Sequence, residues 1–228
     1  METAQLLQEL QVFGNPHNRE GMSRFGINTE NAYGVSIPVI RRMAKQHKRN
    51  HTLALDLWST GIHEARLLSV FIDDPKQVSQ VQMETWVKDF NSWDLCDQTC
   101  GNLFIKTPFA YQQAVRWTYQ NEEFVKRAGF AMMAYLAVHD KKANNETLLG
   151  FFPHIEREAK DGRNYVKKAV NWALRQIGKR NTDLQAEAIE LASRIKEQPL
   201  PSARWIGSDA LRELQKKSLV GNISGCAN

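Results

Sequence analysis

Cysteine is scarce in this chain: three residues, Cys96, Cys100 and Cys226, in 228. So few suit a reducing compartment better than an oxidising one. Cys96 and Cys100 are four apart and share a helix face, but no further ligands flank them at zinc spacing. They are expected to be small apolar core residues, and no metal site is expected. Long apolar runs are also missing. No stretch of eighteen or more apolar residues occurs, which leaves no candidate for a helix spanning a membrane. The opening METAQLLQELQ has neither the basic start nor the apolar run of a signal peptide, so a cytoplasmic location is expected. Sustained period-two runs of Val, Ile and Thr are absent, which argues against a sheet. There is no Walker motif and no dinucleotide fingerprint, so nothing supports a nucleotide-dependent enzyme.

What the chain does have is an ordinary soluble mixture, 42% hydrophobic and 24% charged, with enough apolar material for a substantial core. Its formal net charge of +5 suggests a polyanionic partner. Helical periodicity is widespread, in short segments separated by polar breaks such as DDPK, DKKANN and KRNTD. That pattern predicts antiparallel helix pairs.

The segments also repeat. HEARLLSVFI, VKRAGFAMMAYL and VKKAVNWALRQI each place polar or basic residues before an alanine and then an apolar helical run. WDLCDQTCGNLF fills the gap after the first, and SARWIGSDALREL follows the third. The alanines Ala65, Ala128, Ala169 and Ala203 mark the register, with units of roughly 30 to 40 residues, the range of two-helix solenoid repeats. Companion helices, TLALDLWST, SQVQMETWVKDF and ETLLGFFPHIEREAK, precede the marked ones. The expected fold is all-α: a right-handed α-solenoid of HEAT-like, armadillo-type helical hairpins with a concave basic surface. One domain is expected over 1–218, with a flexible tail over 219–228. Near the N-terminus, Ser36 and Pro38 mark a helix start. EGMSRFGINTENAYG carries three glycines and reads as loosely helical at best.

YVKKAVNWALRQIGKR is the most informative segment. At about 100° per residue, Val166, Ala169, Val170, Ala173, Leu174 and Ile177 form one core stripe. Lys168, Trp172, Arg175 and Lys179 cluster opposite. A tryptophan among three cations suits a nucleic-acid surface, where cations neutralise phosphates and the indole offers a flat face. The bland alternative is a solvated basic face with Trp172 tucked under the next repeat. In NSWDLCD, Trp93 and Asp97 share a helix face. An aromatic beside a carboxylate suits recognition of a cation; a carboxylate favoured by the helix dipole is the alternative. Arg127 lies in FVKRAGFAMMAYLAV, which is apolar almost all round, and needs a partner there. An acidic side chain would make it structural, and a phosphate would make it functional.

Taken in order, GVSIPVIRR, SWDLCD, FVKRAGF and YVKKAVNWALRQ resemble the DNA alkylation repair family of AlkD-like HEAT-repeat glycosylases, from about Met22 to Glu213. The resemblance implies hydrolysis of the N-glycosidic bond of cationic N3- or N7-alkylated purines in double-stranded DNA. It places the catalytic carboxylate on Asp97, the sugar-contacting tryptophans on Trp93 and Trp172, and a backbone-binding arginine on Arg127. Lys168, Arg175 and Lys179 are the further DNA contacts expected. No cofactor or metal is implied, and a monomer working from the DNA backbone side, without a deep base pocket, is expected. A non-catalytic repeat protein that binds damaged, distorted or branched DNA is the competing reading.

Overall fold

The computed structural model describes residues 2–223 of the backbone and the side chains through 216. Among the described residues every regular element is helical. The chain packs as two compact units, Met1–Ala110 and Tyr111–Asn228. The first holds α1 (Glu2–Val12), α2 (Pro16–Arg24), α3 (Ile37–Ala44), α4 (His51–Ser59), α5 (His63–Ile72), α6 (Gln80–Lys88) and α7 (Trp93–Asn102), closed by a 3₁₀ turn at Phe104–Lys106. The second holds α8 (Ala110–Trp117), α9 (Glu123–His139), α10 (Asn145–Leu149), α11 (Phe152–Glu158), α12 (Asn164–Gly178), α13 (Thr182–Glu197) and α14 (Pro201–Ile223).

The hairpin pattern has a local cause. The leading helices start on short polar side chains: Asn50 for α4, Ser79 for α6, Asn144 for α10 and Asn181 for α13 each accept a hydrogen bond from a first-turn N–H. Such a cap is worth about 1 kcal/mol. The following helices α5, α7, α9 and α12 have no side-chain cap bond. Burial holds them instead: Ala65 of α5, Leu95 of α7, Ala128 of α9 and Ala169 of α12 are fully buried, as is Ala203 of α14, in keeping with the repeat register. In the first unit α5 packs on α3, α4 and α7; in the second α9 packs on α12, and α13 on α14. Gly129 lets α9 approach α8, because a Cβ there would meet the Ala114 carbonyl. The α12 stripe from Val166 to Ile177 is fully buried at all six positions. Cys96 and Cys100 are buried, and Cys226 lies outside the described residues.

Three local readings differ from expectation. The segment around EGMSRFG is not loose: α2 forms there because Asn15 accepts from the Asn18 N–H and Pro16 sits in the first turn. Gly21 lies half-buried within α2, Gly26 and Gly34 fall beyond it, and Gly34 (φ 81°) lets the returning chain run against Asn15 and Arg19, where a side chain would collide. The companion helix expected across ETLLGFFPHIEREAK is two short helices, α10 and α11, divided at Gly150 and Phe151 before Pro153. Backbone helix α14 continues to Ile223, into the segment expected as a tail; 224–228 lie outside the described residues.

Candidate functional site

Trp93 is the first residue of α7 and Asp97 stands one turn further along; both are half-buried. Between and behind them Leu95, Cys96, Thr99 and Cys100 anchor the helix in the core. The Trp93 indole is fixed in rotation, since its Nε1–H donates to the Phe25 carbonyl at 2.9 Å. That carbonyl comes from the end of α2, so the N-terminal segment read as loose orients a candidate catalytic side chain.

The carboxylate next door, Asp94, has a different employment. Its Oδ2 lies 2.9 Å from Nε2 of His63, which is only 5% exposed. Burial opposes the charge on His63, but the adjoining Asp94 carboxylate outweighs it and holds the imidazole above its ordinary value. Burial likewise opposes the charge on Asp94, and the neighbouring imidazole, Ser92 and the Leu95 N–H leave it below the usual carboxylate range. Of the two carboxylates of SWDLCD, Asp94 is paired with His63 within the fold, and Asp97 is half-buried one turn along α7 from Trp93.

Trp93 and Asp94 line a cleft of about 650 Å³, walled by Met22, Phe25, Ile37 and Leu67. This open cleft exists because α2 folds and supplies one wall.

The other expected site residues lie in the second unit, on α9 and α12. Arg127 is 6% exposed, and its Nη1–H donates to the Tyr165 carbonyl at 2.8 Å. That carbonyl is a backbone group in the first turn of α12. Beside it Lys126 pairs with Glu158 at 2.5 Å and reaches Asp161 at 3.6 Å. Burial works against the Glu158 charge, but Arg157 and Lys126 hold its carboxyl below the ordinary value. On α12, Trp172 is half-buried and meets Tyr135 of α9 edge to face, with ring centroids 4.9 Å apart. Lys168 is exposed. Arg175 and Lys179 instead reach across to α14, where both contact the Glu213 carboxylate; Arg175 also lies 3.9 Å from Asp209. The basic face seen in the sequence is thus partly neutralised by acids on a helix much later in the chain.

Sequence reasoning missed His63, Phe25, Tyr135 and Glu213. For the first of these a signal existed: Asp94 stands inside the quoted motif, and a buried histidine opposite it completes the pair. Among the described residues no group of three or more His, Cys, Asp or Glu side chains is placed to hold a metal ion. No helix there is long and apolar enough to cross a membrane.

An all-helical repeat protein with an aromatic–carboxylate pair on one helix is the class that fold and site define. Residues 6–214 match the family described as DNA alkylation repair enzyme, and the chain belongs to that family. The fold agrees with a solved structure described as a new family of proteins related to the HEAT-like repeat DNA glycosylases with affinity for branched DNA structures. That likeness has a TM-score of 0.78 at 20% identity and covers 93% of this chain and 95% of the other. A designed armadillo repeat protein matches at a TM-score of 0.35 and 14% identity, covering 78% of this chain and 92% of the other. No curated protein matches.

Proposed function

We propose that this chain is a DNA glycosylase that hydrolyses the N-glycosidic bond of cationic N3- or N7-alkylated purines in duplex DNA. The observation that carries the reading is the α7 pair: Trp93, locked by the Phe25 carbonyl, with Asp97 one turn away on the same face. The lesion carries a positive charge, so its base leaves with the bonding electrons as a neutral molecule. The deoxyribose is left with oxocarbenium character, and a carboxylate at Asp97 stabilises that charge and orients a water toward C1′. As the water oxygen bonds to C1′, its proton passes to the carboxylate and then to solvent. Trp93 holds the sugar, its π face favouring the cation. Arg127, Lys168, Arg175 and Lys179 serve the DNA backbone.

A second reading has its own support. The structural relative is described as having affinity for branched DNA, and Arg175 and Lys179 are engaged by Glu213. On that reading the chain binds branched DNA without excising a base. Incubation with duplex DNA containing 7-methylguanine or 3-methyladenine separates the two. Free base supports the glycosylase; tight binding to a three-way junction with no release of base supports the alternative.

A further inference from the structure

Five cations line one cleft of about 550 Å³ in the first unit: Arg41, Lys45, Lys48, Arg49 and Lys106. They come from the end of α3, the chain that follows it, and the 3₁₀ turn after α7. The one carboxylate in the lining, Asp73, does not neutralise them. It lies 2.7 Å from His51 Nδ1 and accepts from Gln82 Nε2 at 2.8 Å. Asp74, beside it, is held by the Lys76 N–H and lies within electrostatic reach of Arg49.

The cluster is organised despite its mutual repulsion. Arg41 lies over the Phe71 ring at 4.4 Å and donates to Gln98 and Asn102 at 3.2 and 3.3 Å, which fixes its planar fork. Partial burial, together with the Arg41 charge, pulls the Lys106 ammonium below the usual lysine range. Arg49 has φ 61°, the one non-glycine residue among those described with a positive φ. The next residue, Asn50, ties the loop down through its N–H to the Ile72 carbonyl at 2.9 Å. An arginine kept in a conformation that glycine adopts more readily marks strain of the kind that collects at functional sites.

We propose that this cleft binds the phosphate backbone of DNA, using a set of cations different from those on α12. The inference rests on the DNA-binding reading above and deepens it, since two of the α12 cations are already engaged by Glu213. The cleft is far larger than a single phosphate, and its charges are spread over three segments, which suits successive phosphates of a strand. Arginine offers a paired fork and lysine a mobile point charge to such oxygens. Asn102 is the one amide in the lining, so the contact is with the backbone rather than with base edges.

The test uses the full chain and labelled duplex and three-way-junction DNA over a range of salt. A triple variant, Lys45→Gln, Lys48→Gln and Arg49→Gly, should lower affinity about tenfold or more. It should also reduce the slope of log affinity against log salt by roughly 2 to 3, close to one per lost contact. Its melting temperature should hold or rise, because the three side chains are exposed and glycine is at ease at that φ. Should the triple variant melt lower, Lys106→Met, which leaves the backbone untouched and removes a repelled charge, must lower the slope by about 1. Unchanged affinity and slope in these variants would overturn the cleft while leaving the DNA-binding reading standing. An unaltered protein with no salt-dependent DNA binding would overturn both. Displacement of DNA by millimolar inorganic phosphate at fixed ionic strength would make the cleft a small-anion site and overturn the proposal as well.

Discussion

The Trp93 indole N–H donates to the Phe25 carbonyl across 68 residues of sequence, at 2.9 Å. One bond thereby ties α2 to the start of α7. Trp93→Phe keeps a ring and deletes the donor. The expected cost is about 1 kcal/mol, the net worth of one neutral hydrogen bond. That corresponds to a fall of roughly 2 to 4 °C in melting temperature for a chain of this size. Release of alkylated base should fall by more than the stability change explains, because the ring loses its fixed orientation. Calorimetry paired with a base-release assay checks both.

The His63–Asp94 pair makes stability depend on pH in a definite direction. His63 titrates above 6.5 in the folded protein, so its contribution is fully present below 6.5 and is lost as pH rises through the raised value. Asp94 titrates below 3.8, so its contribution is present above 3.8 and is lost as pH falls through the depressed value. The pair therefore acts fully between about pH 3.8 and 6.5. Denaturant midpoints of the wild type should drop from about pH 6 to about pH 8.5 by more than those of Asp94→Asn. Equal pH slopes in the two proteins would show that the pair contributes nothing.

Two tryptophans of the second unit should respond differently to truncation. Trp117 is fully buried, and Trp117→Ala should cost about 3 to 5 kcal/mol. Trp172 is half-buried and held edge to face by Tyr135, a contact worth about 0.5 to 1.5 kcal/mol. Trp172→Ala should therefore cost clearly less stability than Trp117→Ala while impairing base release. Equal losses in thermal melts would return Trp172 to the core.

Glu213 should restrain DNA binding by occupying two cations of the α12 face. Glu213→Gln removes the carboxylate that Arg175 and Lys179 share. The freed cations should raise duplex affinity and steepen its salt dependence by about 1 to 2 in slope. The stability cost should be small, about 1 kcal/mol or less, since the pairs are partly exposed. Fluorescence anisotropy over a salt series reads this out, and an unchanged slope would place DNA away from α12.

What could be read in the sequence were features carried by local periodicity. The α12 stripe from Val166 to Ile177, the register alanines and the Ser36–Pro38 helix start all follow from residues within a few turns of one another. The misses are of two kinds. Some were local and overlooked: Asn15 and Pro16 open a helix as clearly as Ser36 and Pro38 do, and Gly150 breaks the helix expected before α12. The rest depend on residues distant in sequence. Nothing near Arg127 announces its bond to the Tyr165 carbonyl, and nothing near Arg175 announces Glu213. Periodicity shows which face of a helix is polar. Whether the charges on that face are already matched depends on what packs beside it.

The central claim is that the Asp97 carboxylate stabilises a developing sugar cation. Its most direct test is the single-turnover rate of 7-methylguanine release from duplex DNA by the wild type and by Asp97→Asn. The substitution keeps the shape and removes the charge. Measurable release by the wild type is expected, with a loss of roughly a hundredfold or more in the variant. DNA affinity should meanwhile hold or rise, because a negative charge near phosphates has been removed. Release by Asp97→Asn at the wild-type rate, or no release by a wild type that binds the same DNA tightly, would contradict the claim.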